Sequence, residues 1–130
     1  MEARQIAKYQ KYTTAQLREK AGRVFRKWIR KRDADRPCIS CGSWNVSDGG
    51  HYYSAGHHPA LEFNEDNVHG QCRRCNFYLS ANQVEYRKGL IQRIGPERVY
   101  KLDTLADFYK RAGWKHDRFY LIEIIERYKK

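Results

Sequence analysis

Asn67-Val68-His69-Gly70-Gln71-Cys72-Arg73-Arg74-Cys75-Asn76 is the stretch that decides how this chain is read. Its CxxC pair has one counterpart, Cys38-Ile39-Ser40-Cys41, and these four are the only cysteines among 130 residues. Two such knuckles give a tetrahedral four-cysteine site, the closed form of a structural zinc. The 30 residues between Cys41 and Cys72 exceed the usual zinc-ribbon spacing and leave room for a β-hairpin that carries a site. Four of the five histidines, His51, His57, His58 and His69, lie in that interval, and Asn76 follows the last cysteine directly.

Other uses of the cysteines fit less well. Disulfides suit an exported chain, and no apolar stretch that would act as a secretory signal follows Met1. A thioredoxin-like redox pair needs a βαβ context, which surrounds neither CxxC. No run reaches the ~18 apolar residues of a membrane span. The expected location is therefore cytoplasmic.

The chain carries 26 Lys and Arg against 15 Asp and Glu, a net charge of +11. An excess of this size points to a polyanionic partner, most often nucleic acid, rather than to a merely soluble basic surface. The charge is uneven. Residues 18–32 hold Arg18, Lys20, Arg23, Arg26, Lys27, Arg30, Lys31 and Arg32 against a single acid, Glu19. Residues 48–69 hold Asp48, Glu62, Glu65 and Asp66 and no Lys or Arg. A basic arm beside an acid- and histidine-rich segment suits phosphate binding next to a metal.

Periodicity divides the chain into a basic N-terminal helix (residues 1–35), a zinc-stapled core (36–82) and a C-terminal helical region (83–130), together one compact domain. Residues 1–12 read as polar and frayed. Thr13 or Thr14 caps a helix whose apolar stripe is Leu17, Ala21, Val24 and Trp28. Gly42 to Gly50 is turn-rich. His51-Tyr52-Tyr53 and Asn67-Val68-His69 read as short strands, and a helix follows Cys72 through Cys75, Asn76 and Leu79. Val84, Ile91 and Ile94 mark a helix stopped by Gly95-Pro96. Val99, Leu102, Leu105 and Phe108 mark another that ends near Gly113. Asp117 opens a last helix, whose apolar run Phe119–Ile125 serves either as core or as a dimer surface.

A histidine on a first strand, an asparagine at the second, and an asparagine or histidine on the helix after it is the order of the HNH (ββα-metal, His-Me finger) nucleases, which this segment resembles. The nine-residue step from Asn67 to Asn76 fits their Asn…Cys-x-x-Cys-His/Asn pattern. A closer resemblance is to the Rap (NinG) recombination nuclease family of lambdoid phages. The residues that carry it are Arg36-Pro-Cys-Ile-Ser-Cys-Gly42, Asp48-x-Gly-His-Tyr52, Phe63-Asn-Glu-x-Asn67-Val-His69, Gln71-Cys-x-x-Cys-Asn76 and Arg93-Ile-Gly95. The resemblance implies an α+β fold with a ββα-metal core around the four-cysteine zinc. It also implies a metal-dependent, structure-selective endonuclease that cuts branched DNA such as Holliday junctions and D-loops, in a bacterial or phage-infected cell and close to the nucleoid. Structure selectivity would come from shape and from a homodimer that places two sites on two strands. The alternative is a non-catalytic zinc-stabilised module that binds DNA. A third use of the histidines is a second zinc held by His57, His58 and His69.

Phosphodiester hydrolysis needs an activated water, neutralisation of charge on the phosphorane, and help for the leaving oxygen. His51 is the candidate general base, since a histidine titrates near neutrality. Asn67 would hold the imidazole or the adjoining loop. A hard cation, Mg²⁺ or Mn²⁺, takes oxygen ligands, and Asp48 and the Asn76 side chain are the candidates, with His69 as a further ligand. The zinc ligands would be Cys38, Cys41, Cys72 and Cys75. Arg23, Arg26, Lys27, Arg30, Arg73 and Arg74 are the candidate DNA contacts. Two departures from the HNH pattern stand out. Gly50 occupies the place of the acid directly before the base, leaving Asp48 to swing in or to act only as a turn residue. Leu79 occupies the place of a lysine, leaving the phosphate contact to Arg73 or Arg74.

Overall fold

The computed structural model describes residues 1–130. Thr13 caps the long basic helix: its hydroxyl accepts from the Gln16 N–H while Gln16 Oε1 accepts from the Thr13 N–H, so two amides at the open helix end are satisfied reciprocally. The chain forms helices α1 (Ala3–Lys8) and α2 (Thr14–Arg32), strand β1 (Asp48–His51), a 3-10 turn (Pro59–Leu61), strand β2 (Val68–Gln71), a π-helical turn (Arg74–Tyr78), and helices α3 (Gln83–Ile94), α4 (Pro96–Ala112) and α5 (Arg118–Tyr128). It is a mixed α+β fold around one two-stranded sheet. No helix is long and apolar enough to cross a membrane.

Two apolar cores flank the hairpin. In the first, α2 lays Leu17, Ala21, Phe25 and Ile29 against Leu121, Ile122, Ile124, Ile125 and Tyr128 of α5. The first and last long helices thus pack on each other, and Phe25 meets the Tyr128 ring edge-on at 4.8 Å. The buried stripe is turned from the one expected: Val24 and Trp28 sit at its margin while Phe25 and Ile29 fill its centre. Leu17, Ala21, Phe25 and Ile29 follow one another every four residues along α2 and so share the face that meets α5. Leu121, Ile122, Ile124 and Ile125 are core of their own chain rather than a dimer surface, although Phe119 stays exposed.

The second core joins Tyr86 and Leu90 of α3 with Val99, Leu102 and Ala106 of α4, Ile39 of the first knuckle and Leu61. Here the expected markers fail in part: Val84, Ile91 and Phe108 are exposed. Tyr86 displaces Val84 because its ring reaches the hairpin, where its hydroxyl donates to the Gly50 carbonyl at 2.8 Å. Gly89 lets α3 approach the first knuckle, since a Cβ there would lie 1.9 Å from the Ile39 carbonyl oxygen.

The N-terminus departs from expectation. Residues 3–8 form α1, and Tyr9 is buried with its hydroxyl on Glu126. The Arg118 guanidinium donates to the carbonyls of Tyr9 and Tyr12, each at 2.9 Å. A segment polar by composition is held by α5 through these bonds.

Candidate functional site

The antiparallel register pairs Asp48 with Gln71, Gly49 with Gly70, Gly50 with His69 and His51 with Val68. β1 therefore covers residues 48–51, and Tyr52 and Tyr53 already lie beyond it. Side chains of paired residues share a face, and successive residues alternate. Asp48, Gly50, His69 and Gln71 thus belong to one face, and His51 with Val68 to the other. The second face is laid on α2, where Gly49 packs on the Arg26 backbone.

The first knuckle is hydrogen-bonded to β2, and the second begins directly after it and is closed on itself. The Ile39 N–H donates to the Gly70 carbonyl at 3.1 Å, and the Asn76 N–H to the Cys72 carbonyl at 3.0 Å. The thiols of Cys38, Cys41, Cys72 and Cys75 consequently converge, with all four Sγ atoms within 4.8 Å of one another. Cys41 Sγ and Cys72 Sγ are 3.7 Å apart. A tetrahedral zinc with Zn–S bonds of about 2.3 Å requires sulfurs about 3.8 Å apart, so the cluster fits a structural zinc. No second cluster of three or more His, Cys, Asp or Glu side chains forms. His57 is exposed with Nδ1 on Ser54 Oγ at 3.0 Å, His58 packs on the edge of Tyr53, and His69 is buried elsewhere. These three do not make a common cage.

His51 closes β1, half-buried. Its Nε2 lies 2.9 Å from the Glu62 carbonyl oxygen. A carbonyl only accepts, so Nε2 carries the proton of the neutral ring and Nδ1 keeps its lone pair. Burial lowers the His51 pKa, and the nearby Arg26 charge adds to this; the Glu62 carbonyl and carboxylate work against it. The ring is thus held as the neutral base. Glu62 is fixed in turn: its buried carboxylate accepts from Arg18 Nε at 2.8 Å and pairs with His116 Nε2 at 3.0 Å. These two partners hold its carboxyl below the usual range against the opposing effect of burial. Glu62 and His116 were missed from sequence, because 54 residues separate them and no local pattern joins them.

Asn67 is fully buried and does not touch the imidazole. Its Oδ1 accepts from the Tyr53 N–H at 2.8 Å, and its Nδ2 donates to the carbonyls of Tyr53 at 2.9 Å and Leu61 at 3.0 Å. Of the two jobs open to it, these are the bonds of the loop clamp. His69 is buried at 2% exposure and pushed down to about 3 by burial and then by the Arg32 charge. It lies beside the polar cavity lined by Arg32, Asp33, Arg93 and Arg98. None of its bonds joins Asp48 or Asn76.

Asp48 and Asn76 do meet. Asn76 Nδ2 donates to Asp48 Oδ2 at 2.9 Å. The same carboxylate accepts from Ser47 Oγ at 3.0 Å and from Arg73 Nε and an Arg73 terminal nitrogen at 2.9 and 3.1 Å. Burial acts to raise the Asp48 carboxyl, but these hydrogen bonds outweigh it and hold the group below its usual value. Arg73, expected on DNA, is therefore committed to Asp48 in this conformation, with its side chain 63% exposed. The helix expected after Cys72 is only the five-residue π turn, because Cys72 and Cys75 must both turn inward to the thiol cluster. That turn presents Arg74, Phe77, Tyr78 and Leu79 to solvent. Along α2, Arg23, Lys27 and Arg30 are exposed and Arg26 is half-buried on the same face, with its guanidinium folded over Gly22.

A family model described as "Bacteriophage Lambda NinG protein" matches residues 2–130. The chain is 44% identical over 98 residues to "Protein ninG" of Escherichia phage lambda, 43% to that of Escherichia phage 933W and 41% to that of Salmonella phage P22. Each alignment covers 74% of this chain and 47% of the relative, so the chain spans about half the length of the curated relatives it matches. No solved structure matches. The thiol cluster, the hairpin and the turn that carries Asn76 all fall inside the matched span, and the chain belongs to the NinG family.

Proposed function

We propose that this chain is a metal-dependent endonuclease of HNH type that acts on branched DNA, with the hairpin and the π turn as its ββα-metal element. The observation that carries the reading is the state of His51. A strand-end imidazole whose Nε2–H is spent on a backbone carbonyl keeps Nδ1 as its basic nitrogen. What sets it apart from a locally satisfied histidine is its place at the end of the strand that also carries Asp48, next to the basic helix α2.

A divalent cation held by Asp48 and Asn76 would supply charge neutralisation and support for the leaving oxygen. His51 takes a proton from the attacking water at Nδ1, and Glu62 holds the ring through its carbonyl. Asn67 keeps the segment after β1 in place. Strand alternation sets the His51 side chain and the Asp48–Asn76 pair on opposite faces of β1. An in-line displacement needs the base and the cation to reach one phosphorus from the sides of its attacking and leaving oxygens. The outer edge of β1 is unpaired and gives a phosphate access to both. Arg23, Arg26, Lys27 and Arg30 hold the backbone of the DNA arm, and Arg74 adds to them. Exposed Phe77 and Tyr78 offer rings for unstacked bases at a branch. Because base and cation each serve one strand, two cuts across a junction call for two copies of the chain.

A second reading, a zinc-stapled DNA-binding module without catalysis, is favoured by the saturation of Asp48 with Arg73, Ser47 and Asn76. The test is incubation of the zinc-loaded protein with a four-way junction and a linear duplex, with and without Mg²⁺ or Mn²⁺. The nuclease reading expects cation-dependent cuts, preferentially in the junction. Tight junction binding with no cleavage in either metal establishes the second reading instead.

A further inference from the structure

Gln71 is fully buried and pairs with Asp48 across the hairpin. Its Nε2 donates to Ser40 Oγ at 2.9 Å and to the Ala81 carbonyl at 2.8 Å. The Ala81 carbonyl accepts only, so turning the amide end for end would set two acceptors against each other. Its orientation is fixed, and its Oε1 is a buried acceptor with no partner. Leaving such an atom unpaired costs more than a hydrogen bond gains, so the atom calls for an explanation.

The direction of that oxygen supplies one. A Cβ added at Gly50 would lie 1.8 Å from Gln71 Oε1 and 2.9 Å from Asn76 Oδ1. Two amide oxygens therefore converge over the α-carbon of Gly50, on the face that also carries Asp48. Asn76 uses its Nδ2 on Asp48, which leaves its own oxygen turned to this space. Acceptors facing one another without a donor between them favour a cation, and hard divalent cations take amide and carboxylate oxygens together. Gly50 is required there because a Cβ would collide with the Gln71 amide oxygen.

We propose that Gln71 is a third protein ligand of the divalent cation, its Oε1 binding from the opposite strand alongside Asn76 and Asp48, whose carboxylate exchanges its exposed Arg73 partner for the cation. The inference rests on the reading of Asp48 and Asn76 as cation ligands. It also links the two metals of the chain. Both anchors of the Gln71 amide belong to the knuckles: Ser40 lies inside the first, and Ala81 follows the second. Ala81 sits in a run of left-handed residues, Ser80, Ala81 and Asn82, with φ of 48°, 76° and 49°. Asn82 Nδ2 in turn reaches Cys75 Sγ at 3.6 Å. The zinc cluster thereby sets the direction of the Gln71 oxygen.

The test is binding of Mn²⁺ to the zinc-loaded full chain without DNA, followed by the loss of the free-ion EPR signal. Wild type is compared with Gln71→Glu, Gln71→Leu and Asp48→Asn. The proposal expects Gln71→Leu to weaken Mn²⁺ binding about tenfold or more and Gln71→Glu to tighten it, since a carboxylate replaces a neutral oxygen. Unchanged affinity in both Gln71 variants, with weakening in Asp48→Asn, overturns the Gln71 role and leaves the Asp48–Asn76 reading intact. No Mn²⁺ binding by wild type overturns both. If the Gln71 variants lose zinc or melt early, ¹³C NMR of wild type decides. Coordination should move Gln71 Cδ together with Asn76 Cγ on Mg²⁺ saturation, and movement of Asn76 alone overturns the proposal.

Discussion

Asn67 brackets Tyr53: its Oδ1 accepts from the Tyr53 N–H at 2.8 Å while its Nδ2 donates to the Tyr53 carbonyl at 2.9 Å. The side chain thus replaces a strand neighbour just where the chain leaves β1 and the His51 segment would otherwise be free. Asn67→Leu leaves the half-buried Tyr53 amide and carbonyl without partners, while the Leu61 carbonyl keeps its bond from the Asn64 N–H at 3.2 Å. Each unsatisfied buried group costs about 1–3 kcal/mol. Urea unfolding should show a loss of at least about 2 kcal/mol, with Asn67→Asp intermediate. A variant as stable as wild type would show that the clamp is dispensable.

The zinc cluster should be worth far more. Structural zinc contributes on the order of 10 kcal/mol of folding free energy in small zinc peptides. Metal analysis of the purified chain should give one zinc per molecule. Cys72→Ser or Cys75→Ser should release it and abolish cooperative melting. A zinc-free wild-type protein that melts normally would contradict this.

His69 predicts an acid-side loss of stability. Its folded pKa, about 3, lies below its ordinary value of 6.5 because burial disfavours the imidazolium. A depressed group contributes stability that is present above the unfolded value and lost as pH falls. The unfolded chain takes up a proton below about pH 6.5 and the folded chain does not, so stability falls by up to about 1.4 kcal/mol per pH unit. Chemical denaturation from pH 7.5 to 5 should show this slope. A His69→Gln variant should flatten it; an equal slope in the variant would assign the effect to another group.

Charge reversal at Arg23, Arg26 and Arg30 should weaken binding to every DNA shape alike. Each lost phosphate contact lowers the log–log salt slope by roughly 0.9 on duplex DNA. Arg23 also pairs with Glu19 at 2.8 Å, an exposed i,i+4 pair that competes little with phosphate. An unchanged slope would place the DNA-binding face elsewhere on the molecule.

Local signals explain what was legible beforehand. Thr13 and Asp117 announce the starts of α2 and α5 through their own side chains, and Gly95-Pro96 separates α3 from α4. CxxC spacing brought four thiols together because a knuckle is a short-range structure. The gathering of Asp48 and Asn76 followed from the same staple. Long-range contacts were not legible. Nothing in the pattern of Tyr9 marks it as buried against Glu126, and Val84 has a helical apolar position that Tyr86 takes over only because the hairpin lies within reach. Glu62 read as one acid among four, yet its carbonyl orients His51 and its carboxylate joins Arg18 to His116. Gln71 read as a spacer before Cys72, because an orphaned oxygen is visible only when its neighbours are in place.

The most direct measurement is cleavage of a four-way junction by wild type and His51→Ala, with junction binding measured on the same preparations. Removing a general base costs ~10²–10⁴ in rate, while the proposed α2 phosphate contacts and the four-cysteine cluster are left in place. The account predicts that His51→Ala retains zinc and binds the junction with near wild-type affinity but loses cleavage by at least about a hundredfold. Cleavage by His51→Ala at the wild-type rate would contradict it.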